Sequence, residues 1–489
     1  MNRIFLFCIF LLIFAGTSFA SDGYSISVKI NGVSDANVIL GHYLNKSMYP
    51  DDTVKIASDG TGLLKGDKKL DEGMYILYLP DGKYFDLLIG KDQKFSIETD
   101  TANFIQNAKI EGCADNEIFF GFQKYITAKT KVINELQETL KTTEKEKDKE
   151  KIRKQLKEID DERKGKIRGI IEKNPDLFVS VFLNATLDIE VPEAPKDEDG
   201  NLVDSAWSYK YYRNHYFDNF DYTDARLLRT PLYENKLMNY MNKVIPQIPD
   251  TIIAEVDKII LNVEQDSALF RYVLITLFNH YGKSKIMGME SVQVFIAEKH
   301  YIDKAWWSAD KYIEDLKERV KAMKPTLLGN IAPDIQLRFV PSDHFKKALQ
   351  VDSLRSYPHA GMFFNISDIK SDYTVLVFWE ATCSHCKTAV PELHQLYQDS
   401  LSHMGVKIIA ISTLFNEDGK EKWTDFVNEH ELYEWINAWN PYDYQYKLTY
   451  DIRSTPQIFI LNKEKEIIAK RIGEDQILEV IEAHRKYNN

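Results

Sequence analysis

The pattern of hydrophobic and polar residues changes twice along the chain, which divides it into three parts after a short leader. From Tyr24 to about Gly112, short apolar stretches alternate with turns such as Asn31-Gly32. This spacing is typical of a β-sandwich or barrel, and we predict an all-β, sandwich-like domain over residues 21–115. The predicted strands are YSISVKI, NVILGHYL, MYILYLP, YFDLLIG and KFSIET.

Apolar residues recur at helical spacing from Asn116 to about Lys324. Two such series, Ile133–Leu140 and Ile152–Ile159, flank the stretch KTTEKEKDKEK, which has no apolar residue. This pattern predicts two antiparallel helices whose tips meet near the charged stretch. We predict a mostly helical domain over residues 116–326, with further helices in EKNPDLFVSVFLN, DTIIAEVDKIILNV and SALFRYVLITLFNHYG.

The rhythm changes again after Leu327. YTVLVFW and GVKIIAIST are short apolar runs typical of buried strands, and Cys383–His403 between them has the pattern of a helix. A helix in EKWTDFVNEHEL, strands in PQIFILN and EIIAKRIG, and a helix in DQILEVIEAHRK follow. This alternation predicts an α/β domain over residues 327–489, with helices on both faces of a sheet.

The first twenty residues have the character of a secretory signal peptide. Arg3 precedes the apolar run IFLFCIFLLIFAG, and small residues stand at Ser18 and Ala20. We predict cleavage after Ala20 and export to the periplasm or cell envelope. The alternative is a single-span anchor, but the run is shorter than the roughly 20 residues that a span requires. After cleavage we expect no membrane span.

Composition restricts the partners of the exported chain. The full sequence of 489 residues, leader included, carries a formal net charge of −12, which argues against nucleic acid and anionic membrane surfaces as partners. Cys8 lies in the leader, so the mature chain keeps Cys113, Cys383 and Cys386, too few for a disulfide-stapled scaffold. We expect Cys113 to be a free, partly buried thiol. A role in resolving the later cysteine pair is the alternative.

Cys383 and Cys386 stand three positions apart at the predicted strand-to-helix junction, in FWEATCSHCKTAVPEL. Residues at this spacing in a first helical turn lie on one face. Unpaired N–H groups and the helix dipole stabilise a thiolate at Cys383, which makes it the nucleophile. Cys386 lies one turn deeper and is suited to resolve a mixed disulfide. The pattern predicts thiol–disulfide exchange without a metal or an organic cofactor.

A zinc site and an inert disulfide are two other interpretations of the pair. Structural zinc requires four ligands, whereas the chain offers one cysteine pair, with His385 and His394 nearby in sequence. A disulfide across two residues closes a short ring and therefore stabilises little.

His385 beside the nucleophile favours the thiolate and hence a more oxidising disulfide. A reduction potential as low as about −270 mV would contradict this expectation.

These residues resemble the thioredoxin superfamily, and within it the extracytoplasmic branch related to ResA and TlpA. VLVFWEATCSHC resembles the strand, the tryptophan (Trp379) and the cysteine motif of the family, and Pro391 its helix-kinking proline. RSTPQIFI resembles the segment with the cis-proline, and GNIAPDIQL resembles the lead-in of the branch. The resemblance covers residues 327–489. It implies that Thr455 and Pro456 present the substrate backbone, and that protein thiol or disulfide clients and a redox partner protein are the partners.

Two positions depart from the family pattern. A buried acid precedes the first cysteine by six residues in thioredoxin, and a helix glutamate follows it by six in ResA-like members; Val377 and Ala389 stand there. The usual proton acceptors for Cys386 are therefore missing. Glu380 is the nearest acidic substitute, either as a base or as a solvent-exposed acid.

The β-rich and helical parts resemble domains that precede thioredoxin modules in exported Bacteroidetes-type proteins.

Together these observations predict an exported multidomain thiol–disulfide oxidoreductase of the protein-disulfide reductase or isomerase type. The alternative is a binding or scaffold protein of the envelope with a vestigial thioredoxin domain, and a peroxidase is a further enzymatic alternative. The predicted catalytic residues are Cys383 and Cys386, and the predicted substrate-binding or supporting residues are Thr455, Pro456, Trp379, His385 and Glu380.

Overall fold

The computed structural model describes residues 23–339, 363–414, 417–439 and 445–488. The leader predicted at residues 1–20 lies outside them. The chain forms two compact units, the first ending at Ile245 and the second beginning at Pro246. Along the described ranges, no helix combines the length and the apolar character needed to cross a bilayer.

The first unit opens with two four-stranded sheets, ordered β4-β1-β7-β8 and β3-β2-β5-β6. Buried side chains of both sheets, among them Ile26, Leu40 and Leu87, pack into one core. The sandwich-like prediction is thereby confirmed. The strands are β1 Tyr24–Asn31, β2 Asn37–Leu44, β3 Ser47–Lys55, β4 Thr61–Gly66, β5 Gly73–Tyr78, β6 Tyr84–Ile89, β7 Lys94–Asp100 and β8 Lys109–Glu111.

Helices complete the first unit. The first two form the predicted hairpin and turn at residues 143–145, within the charged stretch. Phe119 and Phe120 of the first helix and Phe178 of the third join the core of the sheets. Cys113 is a free and fully buried thiol in that core. The helices are α1 Ala114–Thr142, α2 Glu146–Lys173, α3 Phe178–Ala185, α4 Trp207–His215, α5 Ala225–Leu228 and α6 Tyr233–Asn239, with a π-helical turn at Tyr240–Val244.

The second unit begins with helices that continue the predicted helical part of the chain. They are α7 Pro249–Val263, α8 Ser267–Gly282, α9 Glu290–Ile296 and α10 Asp310–Met323, with a π-helical turn at Ala297–Tyr301 and a 3₁₀ turn at Lys324–Thr326. A mixed seven-stranded sheet follows, ordered β10-β9-β13-β12-β11-β14-β15. Its strands are β9 Gln336–Phe339, β10 Phe363–Asn365, β11 Tyr373–Trp379, β12 Val406–Ser412, β13 Ile436–Trp439, β14 Gln457–Leu461 and β15 Ile467–Lys470.

The sheet of the second unit carries a hydrophobic core on each face. All seven residues of β11 are buried, which explains why YTVLVFW is apolar throughout. β11 runs parallel to β12 and antiparallel to β14. The α/β prediction for this part is confirmed. The remaining helices are α11 Ser384–Asp399, α12 Glu417–Glu429, α13 Gln445–Thr449 and α14 Ile477–Asn488, with 3₁₀ turns at Ile366–Asp368, Leu401–Met404, Leu432–Glu434 and Glu474–Gln476.

Candidate active site

Cys383 lies where β11 passes into α11, at the N-cap position of the helix. Its extended backbone follows a tight turn in which its N–H donates to the carbonyl oxygen of Glu380 at 3.1 Å. The first turn of α11 then carries Cys386 into the core, where that side chain is fully buried, while Cys383 stays partly exposed. Both are free thiols. One sulfur is therefore open to a client, and the other is shielded directly behind it.

Hydrogen bonds favour the thiolate of Cys383. Burial raises the pKa of this thiol, but four hydrogen-bonding groups outweigh burial and lower the pKa to about 7 from an ordinary 9.0. Among the four groups that lower the pKa, the backbone N–H of Cys386 has the largest effect. The side chains of Thr455 and Cys386 and the backbone N–H of His385 follow. Close to neutral pH, Cys383 is therefore much more readily ionised than an ordinary thiol.

The pKa of Cys386 moves the other way. Burial is the main cause that raises it, the nearby Cys383 adds to the rise through a hydrogen bond and its charge, and the resulting pKa is about 12. The backbone N–H of Glu380 and the side chain of Thr455 act against this rise. The two thiols are thus separated into a reactive, ionisable group and a protected, protonated one.

The peptide bond between Thr455 and Pro456 is cis, as the family resemblance implies. The protonated Cys383 Sγ donates to the carbonyl oxygen of Thr455 at 3.2 Å. A groove of about 1070 Å³ begins beside this contact and is lined by Ser384, His385, Thr455 and Pro456. Of the predicted residues, His385, Thr455 and Pro456 therefore line the groove, Cys383 contacts Thr455 beside it, and Cys386 is buried.

Trp379 and Glu380 take different positions. Trp379 is fully buried and packs against Phe426, with ring centroids 5.1 Å apart, so it supports the end of β11 from within the core. Glu380 is partly exposed, and its Oε1 accepts a hydrogen bond from the hydroxyl of Thr413 at 2.6 Å. Thr413 directly follows β12, and we did not predict it. Because β11 and β12 are parallel neighbours, the ends of these strands meet, and this rule could have identified Thr413.

The two positions where the family carries acids are apolar and enclosed. Val377 is 1% exposed inside β11, and Ala389 is 8% exposed, one turn after Cys386 in α11. Neither can accept a proton from Cys386. Among the described residues, histidine, cysteine and acidic side chains form no group of three or more that could hold a metal ion.

Sequence reasoning missed the charged residues of the groove. Arg453 and Arg471 line it together with Asp451, and Arg319 and Met323 of α10 line it as well. Arg453 was within reach of prediction, because it stands two residues before Thr455. Arg319 was not, since only the packing of the folded unit brings α10 to this groove.

Comparison with known proteins agrees with this architecture. Residues 371–467 match a family described as thioredoxin-like, and residues 24–119 and 139–324 match two domains of unknown function, DUF4369 and DUF5106. The C-terminal part of the chain therefore contains a thioredoxin-like domain, as predicted.

Two curated relatives cover the same part of the chain. Thiol-disulfide oxidoreductase ResA of Oceanobacillus iheyensis is 28% identical over 106 residues, which are 22% of this chain and 45% of the relative. Sporulation thiol-disulfide oxidoreductase A of Bacillus subtilis is 27% identical over 104 residues, 21% of this chain and 61% of the relative. The chain thus spans about half the length of these relatives. A thioredoxin-like protein from Bacteroides caccae is similar in structure, with 18% identity, coverage of 60% of this chain and 98% of that chain, and a TM-score of 0.41.

Proposed function

Because its C-terminal domain is thioredoxin-like, we propose that the protein is an exported thiol–disulfide oxidoreductase that exchanges disulfides with protein clients of the cell envelope. The observation that carries the proposal is the contrast between the two thiols. Cys383 is partly exposed with a pKa of about 7, and Cys386 is buried with a pKa of about 12. Such a contrast suits a nucleophile and a resolving thiol. Export is supported by the leader pattern at residues 1–20.

In the reductive direction, the Cys383 thiolate attacks one sulfur of a client disulfide. The client S–S bond breaks, a mixed disulfide forms on Cys383, and the second client sulfur leaves as a thiolate. Cys386 then loses its proton and attacks Cys383 Sγ, which releases the first client sulfur. Two electrons have passed from the dithiol to the client, and a Cys383–Cys386 disulfide remains for a redox partner protein to reduce. The reverse sequence oxidises a client dithiol.

Formation of the mixed disulfide itself prepares the second step. While Cys383 is a free thiolate, its hydrogen bond and its charge help to keep the pKa of Cys386 high. In the mixed disulfide that charge is gone, whereas the backbone N–H of Glu380 and the side chain of Thr455 still favour the Cys386 thiolate. We propose that Cys386 therefore becomes more acidic only after a client is bound.

Trapping tests the proposal. Cys386→Ala should accumulate client mixed disulfides on Cys383 in envelope extracts, and the double variant with Cys383→Ser should accumulate none. In an insulin-reduction assay, wild type should be active and Cys383→Ser inactive. If wild type and Cys383→Ser are equally inactive and the pair never cycles between dithiol and disulfide, the envelope scaffold with a vestigial domain is the correct interpretation.

A further inference from the structure

The groove beside Cys383 differs in charge from the chain as a whole. The protein carries a net charge of −12, yet three arginines and two acids line this groove. The arginines are Arg319, Arg453 and Arg471, and the acids are Asp451 and Glu474. The groove therefore has a local excess of positive charge within an acidic protein.

Arg453 and Arg471 are held by one buried carboxylate. Arg453 Nε donates to Asp451 Oδ1 at 2.7 Å, and Arg471 Nη2 donates to Asp451 Oδ2 at 2.6 Å. The Asp451 side chain is 10% exposed, whereas those of Arg453 and Arg471 are 62% and 45% exposed. Two guanidinium groups on one carboxylate leave one positive charge in excess. Their remaining N–H donors are preorganised for a second carboxylate.

Arg319 adds a third guanidinium from outside the thioredoxin-like domain. It is an exposed residue of α10, next to the buried Met323 on the groove wall. Within the described part of the chain, Arg319 forms no ion pair. The helical segment before the domain therefore supplies part of the wall along which a client would lie.

The second acid of the groove, Glu474, is not paired with the arginines in the part of the chain that the structure describes. Glu474 hydrogen-bonds to Glu392 of α11, and this contact raises the pKa of Glu392. Each of these carboxylates is thus engaged with the other, and Asp475 adds to the negative charge there. Among the described residues that line the groove, Asp451 is therefore the acid that pairs with the arginines.

We propose that the groove selects client segments that carry an aspartate or glutamate beside the reactive cysteine, and that Arg319, Arg453 and Arg471 bind this carboxylate. The inference rests on the proposed function, because it assumes that clients approach Cys383 through the groove. It also assigns a role to α10, since Arg319 extends the recognition surface beyond the thioredoxin-like domain.

Three peptides test this selectivity. They share one sequence around a single cysteine flanked by Glu, Gln or Lys, and each cysteine is activated as a disulfide with neutral 2-thiopyridine. The full-length Cys386→Ala protein reacts with them in one step: the Cys383 thiolate bonds to the peptide sulfur, and 2-thiopyridone leaves and is measured by absorbance. At low salt we expect the Glu peptide to react about tenfold faster than the Lys peptide. Added salt should reduce this ratio.

Arg319→Gln should lower the Glu-to-Lys rate ratio by about threefold, in the range of one exposed ion pair. Lys317→Gln removes the same charge from an exposed residue of α10 that does not line the groove, and it should leave the ratio unchanged. Two results would overturn this inference and leave the proposed function intact. One is an equal rate for all three peptides; the other is a Lys peptide that reacts fastest, as the negative net charge of the chain would favour. If no peptide reacts in a Cys383-dependent way, the proposed function itself is wrong.

Discussion

The low pKa of Cys383 depends partly on a backbone N–H at position 385, which a substitution by proline would eliminate. The N–H of His385 is one of the groups that lower this pKa. The sequence suggested that the histidine ring favours the thiolate, whereas the structure adds a contribution from the main chain. A proline at this position would have no N–H to donate.

His385→Pro should therefore raise the pKa of Cys383, and His385→Ala should leave it near the wild-type value of about 7. The expected loss is on the order of 1 kcal/mol, since one hydrogen bond to a charged group disappears. That corresponds to a reduction potential roughly 20 mV more negative in the proline variant. Alkylation rates of Cys383 measured against pH, together with redox titration against glutathione, check both values.

The sign of the pH dependence follows from the lowered pKa. Ionised Cys383 stabilises the reduced folded protein fully above the ordinary pKa of 9.0, and this contribution is lost as the pH falls through about 7. The alkylation rate of the wild type should accordingly fall below that pH. An equal change in His385→Ala and His385→Pro would show that the ring, and not the N–H, controls Cys383.

Glu380 is the acid nearest to the cysteines in sequence, and we propose that it accepts the proton of Cys386. Glu380→Gln should slow the resolving step by at least about tenfold, because a positioned base contributes on the order of 10²-fold or more. Quenched-flow sampling of a disulfide peptide reaction should then detect the mixed disulfide as an accumulating species. Glu421→Gln changes an exposed glutamate of α12 and should accumulate none. Equal resolution rates in all three proteins would exclude Glu380 as the base.

The reactive residues of the site could be predicted from local sequence motifs, but their long-range contacts could not. The cysteine pair and Thr455-Pro456 are recognisable because each is a short motif. The hydroxyl partner of Glu380 is 33 residues away in the chain, and only the pairing of β11 with β12 brings it close. Hydrophobic spacing carries no information about such a contact.

At the scale of elements, burial decided what the sequence could predict. Strands buried on one or both faces have clear patterns, and β1, β11 and β12 were recognised. β3 was not, because it lies at a sheet edge, its first five residues are exposed, and it contains Pro50. An edge strand tolerates a proline that a central strand would not. The helix predicted over Cys383–His403 is shorter, since α11 ends at Asp399 and a 3₁₀ turn follows.

The edge strand β6 is covered by a side chain of α1. The Asn116 Oδ1 accepts from the N–H of Leu88 at 2.7 Å, and its Nδ2 donates to the Leu88 carbonyl at 2.6 Å. Asn116 is fully buried and replaces a neighbouring strand at this point. The helix is thereby fastened to the sheet by two buried hydrogen bonds.

Asn116→Ala should lower the free energy of unfolding of the first unit by about 2–4 kcal/mol, because it leaves two buried backbone groups unsatisfied. Labelling of the buried thiol Cys113 in increasing urea reports on this unit. Asn214→Ala changes an exposed asparagine of α4, and the urea midpoint should then stay within the error of wild type. A similarly small shift for Asn116→Ala would mean that β6 does not require this cover.

At the scale of the whole molecule, the second unit includes more than the thioredoxin-like domain. Lys470 of β15 is 4% exposed and forms an ion pair of 2.7 Å with Glu290 of α9, whose side chain is 18% exposed. Burial lowers the pKa of Lys470, and Glu290 opposes that shift. The boundary at residues 326 and 327 remains a prediction from hydrophobic rhythm. This ion pair crosses it and links the two sides within one unit.

If the ion pair fastens the helices to the sheet, breaking it should destabilise both. Lys470→Met should lower the free energy of unfolding by about 2–3 kcal/mol, less than for a fully buried pair because Glu290 is partly exposed. The double variant Lys470→Met, Glu290→Gln should recover at least half of this loss, since no unpaired charge remains. Labelling of the buried thiol Cys386 in increasing urea measures the stability of the second unit. Lys486→Met, which changes an exposed residue of α14, is the control.

Hydrogen exchange in Lys470→Met should accelerate in α9 and in β15 together. Acceleration confined to α9 would mean that the helices and the sheet unfold independently, and Arg319 would then be held in the groove by other contacts of α10.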